Sequence, residues 1–254
     1  DGRITKESLE NSLRESYKCA AELVDIADKK GVKIHQGFEG CDINKDGKLM
    51  ILSPSKDFYL DKLAESTKTP AMDTVHASFS QRVVAAAKRI YESWNTDSLR
   101  ETVSTSAENE SSIVLRGIMD EGNFLLTGDA GIQALNKAIE YAQTASPNNN
   151  ILNTIYYQIP HHGGRHNLSP TIMNRLVGSI VQKGESRGKH AFVSVAKDSN
   201  HPKKMVTNAF IRRGCTVSVV SENTVCFSNG TPARNGWTPI SHQQFEVEVE
   251  AWND

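Results

Sequence analysis

Between residues 113 and 220 the chain repeats one pattern: a short apolar run, a turn rich in Gly, Asp or His, then a stretch with helical spacing. Short apolar runs bounded by turn residues read as strands, and apolar positions three and four apart read as helices. The spacing predicts strands over 113–119, 124–127, 151–159, 191–196 and 216–220, and helices over 131–145, 170–183 and 202–213. Strands that alternate with helices build an α/β layered domain. The turn Asp120-Glu121-Gly122-Asn123 makes the first two strands a hairpin, which adds antiparallel pairing to the sheet.

Upstream, residues 4–30 have helical periodicity, and Gly31 is placed to end that helix as a C-cap. "VKIHQG" reads as a short strand, residues 55–65 as a short helix, 66–76 as loop and 77–95 as a further helix. Residues 98–110 are polar and expected to be mobile. The tail from Asn229 is turn-rich, with a short strand expected at "FEVEVEAW". At 254 residues the chain is one large domain or two small ones, with room for a core. No apolar stretch approaches the length of a membrane span, and the opening residues do not have the form of a signal peptide. Cys19, Cys41, Cys215 and Cys226 show no C-x-x-C spacing and read as reduced, mostly buried thiols of a cytoplasmic protein.

The net charge of −1 hides an asymmetry. Between Pro160 and Cys215 ten Lys and Arg face two acidic residues, a local charge of +8, and this stretch also holds five of the eight histidines. Such a stretch suits an anionic partner, a phosphodiester or nucleic acid. It also suits a solvated surface spread over several elements, and the count alone does not choose.

Four motifs carry candidate chemistry. "DINKDGKL" (42–49) begins like an EF-hand calcium loop, but Ser53 stands where the bidentate Glu belongs, so it reads as a hairpin turn. "LLTGDAG" (125–131) puts Asp129 between a strand end and a helix start, a place for a functional side chain or for a helix cap. "IPHHGG" (159–164) puts His161 and His162 on a glycine turn at another strand end. Neutral imidazoles there can bind zinc or manganese, and glycines let backbone approach closely. In "FVSVAKDSNHPKK" (192–204) His201 follows a third strand, as a ligand, a proton shuttle, a phosphate contact or an exposed loop residue.

Together "NESSIVLRG" (109–117), "NFLLTGDAG" (123–131), "IPHHGGRHNLSP" (159–170) and "VSVAKDSNHPKK" (193–204) resemble, in order and spacing, the metallo-β-lactamase superfamily. Within it they look like the hydrolase domain of ComEC-type DNA-uptake proteins and their free-standing bacterial relatives. "KLMILSPS" (48–55) resembles the strand before the hairpin in those proteins. The resemblance covers about residues 45–225, with 226–254 as a C-terminal extension. It implies an αββα sandwich with a dinuclear site for divalent metals, Zn2+ or Mn2+, at one sheet edge. There the metal-activated water would cut a phosphodiester. Asp129 matches the metal-bridging aspartate, and the pair His161-His162 matches the stretch that gives one late histidine ligand. His201 matches a histidine near the substrate mouth, and Asn109 and Ser112 match polar residues where other branches carry another histidine. Asp129, His162 and His201 are then the catalytic candidates; Arg165, His166, Lys203 and Lys204 join Asn109 and Ser112 as substrate contacts.

The superfamily's H-x-H-x-D-H motif is absent from these 254 residues. The chain thus resembles the C-terminal two-thirds of such a domain. It implies an N-terminal part or a partner chain that carries the remaining ligands, and no membrane association. Two further readings stay open. One is a non-catalytic binding or assembly subunit that keeps the fold and a basic face. The other is a hydrolase of another class, such as a lactonase or phosphocholine esterase.

Overall fold

The computed structural model describes residues 17–66, 89–145, 150–222, 224–232 and 234–252, together with 11, 14 and 15. The expectations for 4–10, 67–76 and 77–88 fall outside them. Six strands form one mixed sheet: β1 (Leu49–Ser53), β3 (Val114–Gly117), β4 (Asn123–Leu126), β5 (Thr154–Gln158), β6 (Lys189–Ser194) and β7 (Cys215–Val220), in the spatial order β1-β3-β4-β5-β6-β7. β1–β3 and β3–β4 pair antiparallel, and β4–β5, β5–β6 and β6–β7 pair parallel. A separate ribbon joins β2 (Arg89–Tyr91) to β8 (Glu248–Glu250).

The helices are α1 (Lys18–Lys29), α2 (Lys56–Glu65), α3 (Ala107–Glu110), α4 (Ile132–Ala145), α5 (Pro170–Leu176) and α6 (Lys204–Ile211). Their limits follow local chemistry. Ser55 and Ser169 accept hydrogen bonds from Phe58 N and Ile172 N at the starts of α2 and α5, and Pro170 fits the first helical position of α5. Gly31, at φ +66°, ends α1. The 42–49 motif is a turn. Asp42 accepts from Lys45 N and Gly47 N, and Gly47 takes φ +74°.

The main core lies on the helical face of the sheet. Leu125, Tyr157, Ala191, Val193 and Val217 meet Leu135, Ile139, Ile172, Met173, Val206 and Phe210. Burying each such aliphatic side chain is worth roughly 1.5–3 kcal/mol. Val249 of the tail belongs to the same cluster and is fully buried.

Several other expectations are corrected. Among the described residues "VKIHQG" pairs with no strand. Residues 89–91 form a strand, because their backbone pairs with β8 across 159 positions of chain. The helix expected over 170–183 ends at Leu176; Gly178, at φ +118°, turns the chain. The polar stretch 98–110 is pinned: Ser98 O accepts from Trp252 Nε1, Glu101 takes the N–H of Thr171, and Leu99 is buried. Of the four free cysteines only Cys215 is buried, and burial pushes its thiol up to about 12.

A buried charge cluster fastens these distant segments. Arg212 and Arg213 are almost fully buried at the end of α6. Arg212 Nη2 lies 3.0 Å from Glu92, and Arg213 Nη2 lies 2.6 Å from Asp97. Asn208 donates to Glu92 and to Glu246 O, joining β2's neighbour to the tail. Removing one member of such a set leaves a buried charge uncompensated. Asp97→Ala should therefore lower the unfolding free energy by about 3 kcal/mol in urea titration, whereas a loss below about 1 kcal/mol would mean that solvent reaches Arg213.

Candidate functional site at the strand ends

Parallel β4, β5 and β6 end on one edge of the sheet, where functional side chains gather in α/β folds. The turn after β4 carries Asp129, the turn after β5 carries His161 and His162, and the loop after β6 carries His201. Asp129 Oδ1 lies 3.5 Å from His161 Nδ1, and both side chains remain partly open to solvent.

Three polar side chains fix the Asp129 turn. Gln158, at the end of β5, accepts through Oε1 from Thr127 N and Gly128 N, at 2.9 and 3.1 Å. Asn167, fully buried, donates to the carbonyls of Asp129 and Ala130. Ser112 Oγ accepts from Asp129 N at 3.3 Å. A competing role for Asp129 falls away: the N-terminus of α4 is capped by the buried Glu110, which accepts from Ala134 N at 2.8 Å and Gln133 N at 3.4 Å. Burial raises the Glu110 carboxyl above its ordinary range, against the lowering pull of those N–H groups.

The histidine turn is tightly constrained. His161 and His162 take φ of +47° and +55°, a region that non-glycine residues seldom occupy and that costs of order 1 kcal/mol or more each. His161 N donates to Gly128 O, so the β4 and β5 turns are joined by backbone. Gly163 adopts φ +81°, and a Cβ there would lie 2.5 Å from Pro202 Cβ. That close approach sets the loop bearing His201 against the turn, and Lys203 N donates to Gly163 O.

The two adjacent histidines have different tasks. His161 Nδ1 sits between the Asp129 carboxylate and the Asn109 amide, each 3.5 Å away, too long for a well-made hydrogen bond. Asn109 is itself anchored on Thr105 Oγ1. His162 Nδ1 lies 2.7 Å from Ser194 O. A carbonyl only accepts, so Nδ1 carries a proton and is engaged with the backbone, which leaves Nε2 as the ring nitrogen without that bond. The structure therefore brings His161, and not His162, to Asp129.

Of the substrate candidates, Asn109 and Ser112 reach this cluster. Four basic ones do not. Arg165 donates to Ala251 O and lies over the Trp252 ring at 4.4 Å, and His166 meets that ring edge-on at 5.3 Å. Lys204 pairs with Glu246 at 3.2 Å while its N–H is held by Glu250. Lys203 Nζ donates to Asn200 O, and burial lowers its pKa against the pull of Glu250. The acidic and aromatic tail Glu246–Trp252 takes up the groups expected to hold phosphate. The +8 stretch as a whole is not one open face: Lys189, Arg212 and Arg213 are buried, and Arg187 and Arg175 bond to Ser179 O and Asn136.

Gln158, Asn167 and Glu110, which position the site, were not picked out by sequence. Gln158 ends a strand and Asn167 follows a glycine turn, and neither position differs in sequence from an ordinary polar loop residue.

Asp129 and His161 are donors of metal-binding type, one short of the three that hold a catalytic zinc. Among the described residues no group of three or more His, Cys, Asp or Glu could hold a metal ion. These residues alone do not fit a resident metal. Among the described residues no helix is long and apolar enough to cross a membrane.

His201 offers a pH test. Burial lowers its pKa below the ordinary 6.5, Lys203, His161 and His162 add to this, and a backbone hydrogen bond with Gly163 opposes it. The ring is thus neutral at pH 7. An unfolded histidine takes its proton near 6.5 and the folded one only at lower pH, so stability falls as pH drops through that window. NMR titration should place the His201 midpoint below 6.5, and a midpoint at or above it would show that the loop does not pack on the histidine turn.

No family model, no curated protein and no solved structure matches the chain.

Proposed function

We propose that this chain is the C-terminal part of a metal-dependent hydrolase of metallo-β-lactamase type, acting on a phosphodiester, with Asp129 and His161 as half of a divided ligand set. The observation that carries the reading is the 3.5 Å approach of Asp129 to His161 across the ends of two parallel strands. The turns that deliver these side chains are held by Gln158, Asn167 and a strained backbone, more fixing than an idle loop needs. The missing donors are assigned to a segment carrying H-x-H-x-D-H.

In this reading the chain's own groups have separate tasks. Asn109 faces His161 at 3.5 Å, and Ser112 holds the Asp129 turn. His162 presents Nε2 at the mouth, and His201 stays neutral beside it. The finer fold statement, an incomplete αββα sandwich, is supported by the second face of the sheet. Leu115, Phe124, Leu126 and Tyr156 share that face by register and none belongs to the helix-side core. A second apolar face on one sheet calls for another covering layer.

The competing reading is a non-catalytic binding subunit, and the incomplete ligand set favours it. One experiment separates them. Zinc and manganese are measured by elemental analysis on this chain, and on the chain with the polypeptide encoded directly upstream restored. Hydrolysis of bis(p-nitrophenyl) phosphate is followed in parallel. The restored form should hold metal that the chain alone does not, and both metal and at least ~100-fold of the rate should be lost in Asp129→Ala and His161→Ala. Retention of the metal in His161→Ala with loss in His162→Ala would reverse the ligand assignment. No metal in the restored form would leave the binding subunit.

A further inference from the structure

A second concave site lies away from the Asp129 cluster. After β7 the described residues 221–222, 224–232 and 234–243 form an arm that stands over the face of the sheet opposite the main core. It is fastened at three points. Phe227 packs on Tyr156, His190 and Phe192, with ring centroids 5.1, 4.9 and 6.0 Å away. Asn229 Nδ2 donates to Glu121 O in the hairpin turn, and Gln243 N donates to Val217 O at the edge of β7. Between these fastenings the arm leaves a cavity of about 890 Å3. That is a size typical of small-molecule sites, roughly 300–1,000 Å3.

The lining is selective. Its aromatic surfaces are His190 and Phe192 from the sheet and Phe227, Trp237 and His242 from the arm. Trp237 is 45% exposed, a large ring left uncovered at the cavity wall. Arg234 lines the cavity, and none of the described lining residues is Asp or Glu. His242 is fixed by Ser218 Oγ at 3.0 Å, and burial together with His242 holds the His190 ring neutral. Serine and threonine residues, with Asn229 and Gln243, make up most of the remaining polar lining.

From this lining we infer that the arm and the sheet form a binding site for a nucleoside monophosphate unit. A nucleobase offers a flat π face for Trp237 and the histidine rings and polar edges for the amides and hydroxyls. The sugar hydroxyls meet the Ser and Thr side chains. The phosphate is taken by Arg234, which has no carboxylate beside it among the described lining residues. A purely apolar ligand would leave Arg234 and the polar edges unpartnered, and a bare inorganic anion would leave the aromatic walls unused. The lining includes Val220 at the end of β7, which pairs in register with Ser194, the residue whose carbonyl holds His162. Binding at this site does not depend on Asp129 or on any metal.

Isothermal titration of this chain with adenosine 5′-monophosphate tests the site. Saturable one-to-one binding is expected, with adenosine and inorganic phosphate each at least tenfold weaker. Arg234→Ala and Trp237→Ala should each weaken binding about tenfold, the scale of one charged hydrogen bond or one base–aromatic stack, and Trp237→Phe should restore most of the loss. Both side chains are exposed, and unchanged thermal melting of the variants establishes that the fold is intact. A trinucleotide with a terminal phosphate, titrated alongside, distinguishes the source. Tighter binding of the trinucleotide assigns the site to a strand end, and tighter binding of the mononucleotide to a free nucleotide. No saturation by about 5 mM, equal binding of inorganic phosphate, or full affinity in both alanine variants would overturn the inference.

Discussion

The parallel register of β4, β5 and β6 is the constraint on which the candidate site depends. Phe124 pairs with Tyr156, and Tyr156 with His190, so three chain segments leave the sheet at neighbouring points. Their side chains would still diverge without a local clamp. Gln158 provides it: from the last position of β5 its amide oxygen takes two N–H groups of the β4 turn. Thr127 Oγ1 returns a bond to Gln158 O at 2.9 Å. Each neutral hydrogen bond is worth about 1 kcal/mol net, but they share one purpose, to hold Asp129 within reach of the next strand end. His161 N closing on Gly128 O completes the clamp with backbone alone, and the left-handed conformations of His161 and His162 are the strain that it sustains.

The charge of the basic stretch is spent mainly on cohesion. Arg212 and Arg213 close a cluster with Glu92 and Asp97, more than a hundred positions upstream, and Lys204 and Arg165 hold the C-terminal tail. These contacts have one physical reason. The acidic partners lie in segments that sequence places far away, and folding brings them beside α6. The same closure buries Val249 in the main core.

Much of the central fold was legible because its signals are local. The hairpin of β3 and β4, the helix α4 after Gly131, the strand–turn at Pro160 and the final strand at Glu248–Glu250 all follow from period and punctuation. What was not legible depends on partners remote in sequence. Arg89–Tyr91 has helical neighbours in its composition and becomes a strand only because β8 pairs with it. The stretch 98–110 is polar, yet Trp252 and Thr171 take up its hydrogen bonds. In the site, Asp129 and the histidine pair could be read from strand ends. Which of the two rings lies beside Asp129 could not, since His162 is drawn to a carbonyl at Ser194, supplied by a different strand.

The two faces of the sheet divide the molecule's tasks. One face is sealed by α4, α5 and α6, with residues such as Leu125, Val193 and Val217 at zero exposure. It gives the rigid support that a strained turn needs. The opposite face carries Leu115, Phe124, Tyr156 and Phe192, and the arm after β7 packs on part of it. A sheet whose second face is apolar and aromatic gains free energy from any layer that covers it, which is why the arm settles there. Where the arm follows the sheet closely, through Phe227, the contact is ordinary packing. Where it stands off, the uncovered ring of Trp237, the half-buried ring of His190 and the Arg234 charge line one cavity. The sealed face thus fixes the geometry of the strand ends, and the opposite face carries the arm, which packs on it through Phe227.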